Sequence, residues 1–127
     1  MRVFVALLFG VVFPACSGAP DSGSNIWQDA IFETGIASYY HDSLHGNPTA
    51  SGEPYDREAL TAAHRTLPFG TRILVTNLKN DRSLILTVND RGPFVKGRVV
   101  DLSRRAAREL GFIEDGIVRV TIAIVES

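Results

Sequence analysis

Cysteine is nearly missing from this 127-residue chain: Cys16 stands alone, which excludes an internal disulfide framework. One thiol and three histidines leave no zinc-type ligand spacing, so no metal or other cofactor is expected. Neither sign of charge is in excess. Thirteen Lys and Arg against fourteen Asp and Glu give a formal net charge of -1, which removes the electrostatic reason for a nucleic-acid partner. The apolar run from Val3 to Phe13 is too short for a membrane span, which takes about 20 residues. What remains is 45% hydrophobic and 21% charged, in a length that suits one small globular domain.

The first sixteen residues, MRVFVALLFGVVFPAC, place Arg2 before the apolar run and Pro14, Ala15 and Cys16 after it. That is the layout of an export signal. With Cys16 where cleavage falls, it resembles a bacterial lipoprotein signal, in which the cysteine becomes the lipidated first residue. An ordinary secretory signal with a bystander cysteine is the alternative, and either takes the protein out of the cytoplasm. Ser17 stands where inner-membrane lipoproteins commonly carry aspartate, which leans toward an outer-membrane or periplasmic location. Residues 17–30 are rich in Ser, Gly, Pro, Asp and Asn, and read as a flexible linker in which Trp27 is isolated. A single domain is expected over 31–127.

Within it the segments are short and rich in β-formers. GIASYY (35–40), TRILVTNL (71–78), SLILTVN (83–89), RVVDL (98–102) and GIVRVTIAIV (116–125) read as strands. Asn80-Asp81 supplies a hairpin turn between the second and third of these. SRRAAREL reads as a helix with Ser103 as N-cap, Gly111 as left-handed stop, and Ala106, Ala107 and Leu110 on one face. Asp56 can cap a helical turn over REAL, and LTAAH follows as an apolar step. About six strands and one or two short helices predict a mainly β fold, a small closed barrel without exposed edges. HDSLHGNPTASGEPYD (41–56) is a loop long enough to suggest function.

Asp90 ends the strand SLILTVN and meets Arg91, Gly92 and Pro93. Cleavage of a sugar chain requires a carboxylic acid to protonate the leaving oxygen, and Asp90 is placed for that task. Arg91 need not touch it, because neighbours at a strand end face opposite sides. Taken singly, each candidate has a plainer reading. Asp90 suits a turn carboxylate, Glu53 a solvated loop residue, His64 a half-buried hydrogen-bonder, and Asp101 a backbone cap before the helix. Tyr39, Tyr40 and Tyr55 suit barrel-rim packing as well as sugar stacking.

Together, GIASYY, HGNPTASGEPYD, LTAAHRTLPFGTRILVTNL, VNDRGPF and RVVDLSRRAARELG resemble the double-psi β-barrel domain of the rare lipoprotein A family, from about Gly35 to Val125. The resemblance implies a six-stranded double-psi barrel that cleaves peptidoglycan as a lytic transglycosylase and leaves 1,6-anhydro ends. It implies Asp90, Glu53 and His64 as catalytic positions, and Tyr40, Tyr55, Asn89 and Arg91 as substrate contacts. Peptidoglycan glycan strands are the implied partner, and the membrane a second one through Cys16. Many members of that family add a C-terminal glycan-binding repeat. The sequence stops at Ser127, directly after the last expected strand, so the resemblance does not carry septal targeting or a preference for peptide-stripped glycan over to it.

Two other readings stay open: a non-catalytic peptidoglycan-binding envelope lipoprotein, and an expansin-like module that loosens wall material without releasing fragments.

Overall fold

The structure is a computed structural model and describes residues 30–126. The expected export signal, Cys16, Trp27 and nearly all of the linker lie outside those residues. Six strands and one helix follow in chain order: β1 (Ile31–Tyr39), β2 (Thr61–Ala63), β3 (Arg72–Asn77), β4 (Ser83–Asp90), β5 (Arg98–Leu102), α1 (Arg104–Leu110) and β6 (Val118–Glu126). A 3-10 turn at Asp42–Leu44 opens the long loop.

The strands close into a barrel in the order β1-β5-β2-β4-β3-β6. Two of its six seams are parallel, β1 with β5 and β2 with β4; the others are antiparallel. Alternation in the sequence explains the closure. Ile73 and Val75 of β3, Leu86 and Val88 of β4, and Val118, Val120 and Ile122 of β6 point inward and are buried. Full burial of each such side chain contributes about 1.5–3 kcal/mol. With no free edge, the barrel presents no unpaired ladder to a neighbouring chain.

α1 covers the barrel with Ala106, Ala107 and Leu110, all fully buried. Ser103 caps it by accepting from the Ala106 amide at 3.2 Å, and Gly111 ends it at a φ of 82°. Asn77 is also fully buried. Its side chain donates to the Leu110 carbonyl (2.8 Å) and accepts from the Lys79 amide (2.8 Å), so the β3–β4 hairpin is tied to the end of α1. The hairpin turns through Asp81 at a φ of 64°.

Three local expectations are corrected. REAL forms a turn rather than a helical one, although Asp56 does cap it by accepting from the Glu58 amide at 2.9 Å. The reason is that its carbonyls are used elsewhere: Arg57 accepts from the Arg105 amide, Ala59 from the Ser103 hydroxyl, and Leu60 from the Thr87 amide. The apolar step after it is a true strand, β2, wedged between β5 and β4. β1 begins at Ile31, earlier than expected, because Ile31 to Thr34 pair with β6.

Candidate active site

Asp90 is the last residue of β4, and the pairing places it level with Ala63 of β2. Asp101 of β5 is level with the same Ala63 on the other side. The short strand β2 therefore separates two acidic positions at one end of the barrel.

Both carboxylate oxygens of Asp90 are engaged. Oδ1 accepts from the Ala50 amide and from the Arg91 amide, each at 2.8 Å. Oδ2 accepts from the Tyr40 hydroxyl. The two N–H donors fill Oδ1, so the acceptor capacity that is left lies on Oδ2, the atom beside Tyr40. Burial, followed by the hydrogen bond and negative charge of Asp90, pushes the Tyr40 phenol far above its usual range. Tyr40 is thus a fixed neutral hydroxyl against the acid. Its ring stacks on Tyr55 at 4.4 Å, and the Tyr55 hydroxyl is held by the Arg104 amide at 3.0 Å.

The long loop is fastened over the same strand end. The Ala50 amide reaches the Asp90 side chain, and the Ser51 amide reaches the Asn89 carbonyl at 3.3 Å. A bridge between Pro48 and Pro54 and the hydroxyl of Thr49 on the Glu53 carbonyl (2.7 Å) fold the loop on itself. Glu53 is exposed, with Oε1 accepting from the buried Asn89 side chain at 3.2 Å. Glu53 with Asn89, and Tyr40 with Asp90, thus form two polar pairs, and the long loop is fastened to both strand residues.

The remaining candidates lie elsewhere in the network. Tyr55 is only 3% exposed, so it backs Tyr40 from the interior instead of offering a face to solvent. Arg91 turns away from Asp90, as alternation predicts: its NH1 donates to the carbonyls of Leu67 (2.8 Å) and His64 (3.2 Å), with the guanidinium 4.2 Å over the Phe69 ring. His64 is 3% exposed, and its ring contacts Glu33 and the Thr66 and Leu67 amides. Only its backbone meets Asp90, through the His64 amide and the Asp90 carbonyl at 3.1 Å. Asp101 does not cap the helix backbone. Its Oδ1 accepts from Ser38 (2.5 Å) and Arg98 (2.7 Å) across the β1–β5 seam. Tyr39 is a packing residue, edge-on to Phe112 with its hydroxyl on the Ile113 carbonyl at 2.7 Å.

Sequence reasoning missed Glu33 altogether. No motif marks it, and its contact with His64 spans 31 positions.

The family described as "Lytic transglycolase", a double-psi β-barrel family, matches residues 32–122. Endolytic peptidoglycan transglycosylase RlpA of Pasteurella multocida is 53% identical over 92 residues, covering 72% of this chain and 31% of the relative. The Synechocystis protein named probable endolytic peptidoglycan transglycosylase RlpA is 55% identical over 92 residues, covering 72% of this chain and 29% of the relative. This chain thus spans about a third of the length of the curated relatives it matches.

Among solved structures, Streptomyces papain inhibitor superposes with a TM-score of 0.60 at 26% identity, covering 76% of this chain and 97% of the other. A Clavibacter michiganensis expansin gives 0.58 at 25%, covering 74% and 50%. The barrel alone, shared by proteins of such different names, does not select an activity. Sequence identity near one half over 92 residues, with a family model matching residues 32–122, is far more selective: the chain belongs to the RlpA-like lytic transglycolase family of double-psi β-barrels.

Proposed function

We propose that this domain is a peptidoglycan lytic transglycosylase with Asp90 as its acid and base. Asp90 Oδ2 gives its proton to the oxygen joining N-acetylmuramic acid C1 to N-acetylglucosamine. The C1–oxygen bond breaks and the glucosamine leaves as the alcohol. The C6 hydroxyl of the same muramic residue bonds to C1, and its proton returns to Asp90. A 1,6-anhydro ring results, and atoms and charges balance without water. An intramolecular nucleophile also removes the need for a second carboxylate to activate water, so one acid that becomes the base suffices.

The observation that carries this reading is the Asp90 cluster. Oδ1 is saturated by two amides, leaving Oδ2 as the reactive atom beside a hydroxyl that stays protonated. Tyr40 steadies the carboxylate formed after proton donation. Glu53, on the loop that is fastened to Asp90 through the Ala50 amide, supplies negative charge toward the oxocarbenium-like transition state, and Asn89 orients it. The names of the RlpA relatives support the substrate class. We assign residues 1–16 as the export signal, Cys16 as the lipid-anchored residue, and residues 17–30 as a spacer that lets 31–127 reach the wall.

The test is digestion of intact and peptide-stripped peptidoglycan by the purified chain, with mass spectrometry of the released ends. Anhydro ends that vanish in Asp90→Asn support the reading. Release of no fragments, or equal release by the variant, removes Asp90 from the mechanism. Asn should fold normally, since its carbonyl can keep the Ala50 and Arg91 amides while its NH2 faces the Tyr40 hydroxyl.

A further inference from the structure

His64 lies in the turn that follows β2, and each atom of its ring that can bond is accounted for. Nδ1 accepts from two backbone amides, Thr66 at 3.1 Å and Leu67 at 3.2 Å. A nitrogen that accepts from two N–H groups carries no proton. The proton therefore sits on Nε2, which donates to Glu33 Oε1 at 2.8 Å. Glu33 is held in turn by Arg65, whose NH2 reaches Oε2 at 3.4 Å and whose NH1 reaches the Arg98 carbonyl at 2.8 Å. Phe32 packs on the imidazole with ring centroids 5.9 Å apart. The charged groups in contact with His64 are Glu33 through the ring and Arg91 through the backbone, with Arg65 one step behind Glu33.

The turn that His64 caps is also the one that grips Arg91. The carbonyls of His64 and Leu67 both accept from Arg91 NH1. The Arg91 amide holds Asp90 Oδ1, and the His64 amide holds the Asp90 carbonyl. A continuous chain of contacts thus runs from Glu33 through the imidazole and the 64–67 turn to the strand end that carries Asp90.

We propose that His64 is a positioning residue for Asp90 through the amides its Nδ1 holds, with Glu33 locking the imidazole as the Nε2–H tautomer so that it carries no proton in the reaction. This rests on Asp90 being the acid, as argued above. A histidine that shuttled protons would need a ring nitrogen facing the reacting atoms. Here one nitrogen faces two backbone amides and the other a carboxylate, and the Glu33–His64 pair becomes part of the frame, as an orienting carboxylate does for an imidazole elsewhere.

The test uses the full-length chain. Nitrogen NMR of the His64 ring should show Nε2 protonated and Nδ1 bare throughout the pH range of activity. His64→Asn places an amide oxygen where Nδ1 stood, a common acceptor for amides two and three residues on. It should lower kcat/KM less than about tenfold and leave the shape of the pH profile unchanged. His64→Ala leaves the buried Leu67 amide without its acceptor and should lose about tenfold or more. The Asp90 carboxyl carbon resonance should move in His64→Ala and stay near its wild-type position in His64→Asn.

A proton on Nδ1, a limb of the pH profile lost in His64→Asn, equal loss in both variants, or wild-type rates in His64→Ala would each overturn the proposal. If the wild-type chain releases no fragments, the transglycosylase reading fails. The tautomer and the Asp90 resonance then decide the positioning role separately.

Discussion

Tyr40→Phe removes a single hydroxyl and little else. The phenyl ring keeps its stack on Tyr55 at the same 4.4 Å spacing, and the Tyr55 hydroxyl keeps the Arg104 amide. The loss is the donor to Asp90 Oδ2. In the proposed mechanism that bond matters most once Asp90 has given up its proton, because a hydrogen bond to an ionised partner contributes about 1.5–3 kcal/mol, against about 1 for a neutral pair. If most of that develops by the transition state, kcat/KM falls roughly 10- to 150-fold. The assay is the time course of anhydro-ended fragments from purified peptidoglycan, read beside a thermal melt of the same preparation. Removing a hydroxyl from one half-buried ring should shift Tm by only a few degrees, so a large kinetic loss without unfolding is the expected pattern. A variant that cleaves within twofold of wild type would refute the coupling between Tyr40 and Asp90.

Other consequences follow from the same contacts. Burial raises both Tyr40 and Tyr55 above the ordinary phenol value of 10.0, so the folded state holds protons that the unfolded state has lost. The tyrosine contribution is complete below that value and is lost as pH rises through the folded values. Stability should therefore decline as pH rises above 10, and Tyr40→Phe should flatten the decline in an alkaline denaturation series. Ser103→Ala deletes both the cap on the Ala106 amide and the 2.6 Å bond to the Ala59 carbonyl. Its loss should cost about 2 kcal/mol or more and lower Tm by ~10 °C. Gly35→Ala would set a methyl 2.5 Å from Val99 Cγ1 across the β1–β5 seam, and overpacking of about 1–3 kcal/mol should appear as a lower midpoint in urea.

The elements most legible in the sequence are those with local causes. RVVDL becomes β5 at the same residues, and α1 starts after Ser103 and stops at Gly111 because cap and stop act within a turn. Strand order was not legible. β1 reaches β5, and β2 reaches both β5 and β4, through contacts between residues far apart in sequence, and periodicity carries no information about partners. The same division runs through the site. Asp90 on its local residues suited a turn carboxylate, and only the family resemblance singled it out as an acid, whereas alternation correctly turned Arg91 away from it. The Tyr40 hydroxyl comes from 50 positions upstream and the Ala50 amide from 40, so their convergence needed the closed barrel. Asp101 looked like a helix cap because it precedes Ser103, yet its strand faces Ser38 and the i,i−3 neighbour Arg98, and those partners claim its oxygen.

The claim at the centre is that the sugar's own hydroxyl, and not water, takes the place of the departing glucosamine once Asp90 has protonated it. Digestion in water enriched with heavy oxygen examines that step directly. Released muramic ends should carry none of the label and should have the mass of the anhydro sugar. Reducing ends bearing one heavy oxygen would show that water is the nucleophile, and the single-carboxylate mechanism would not stand.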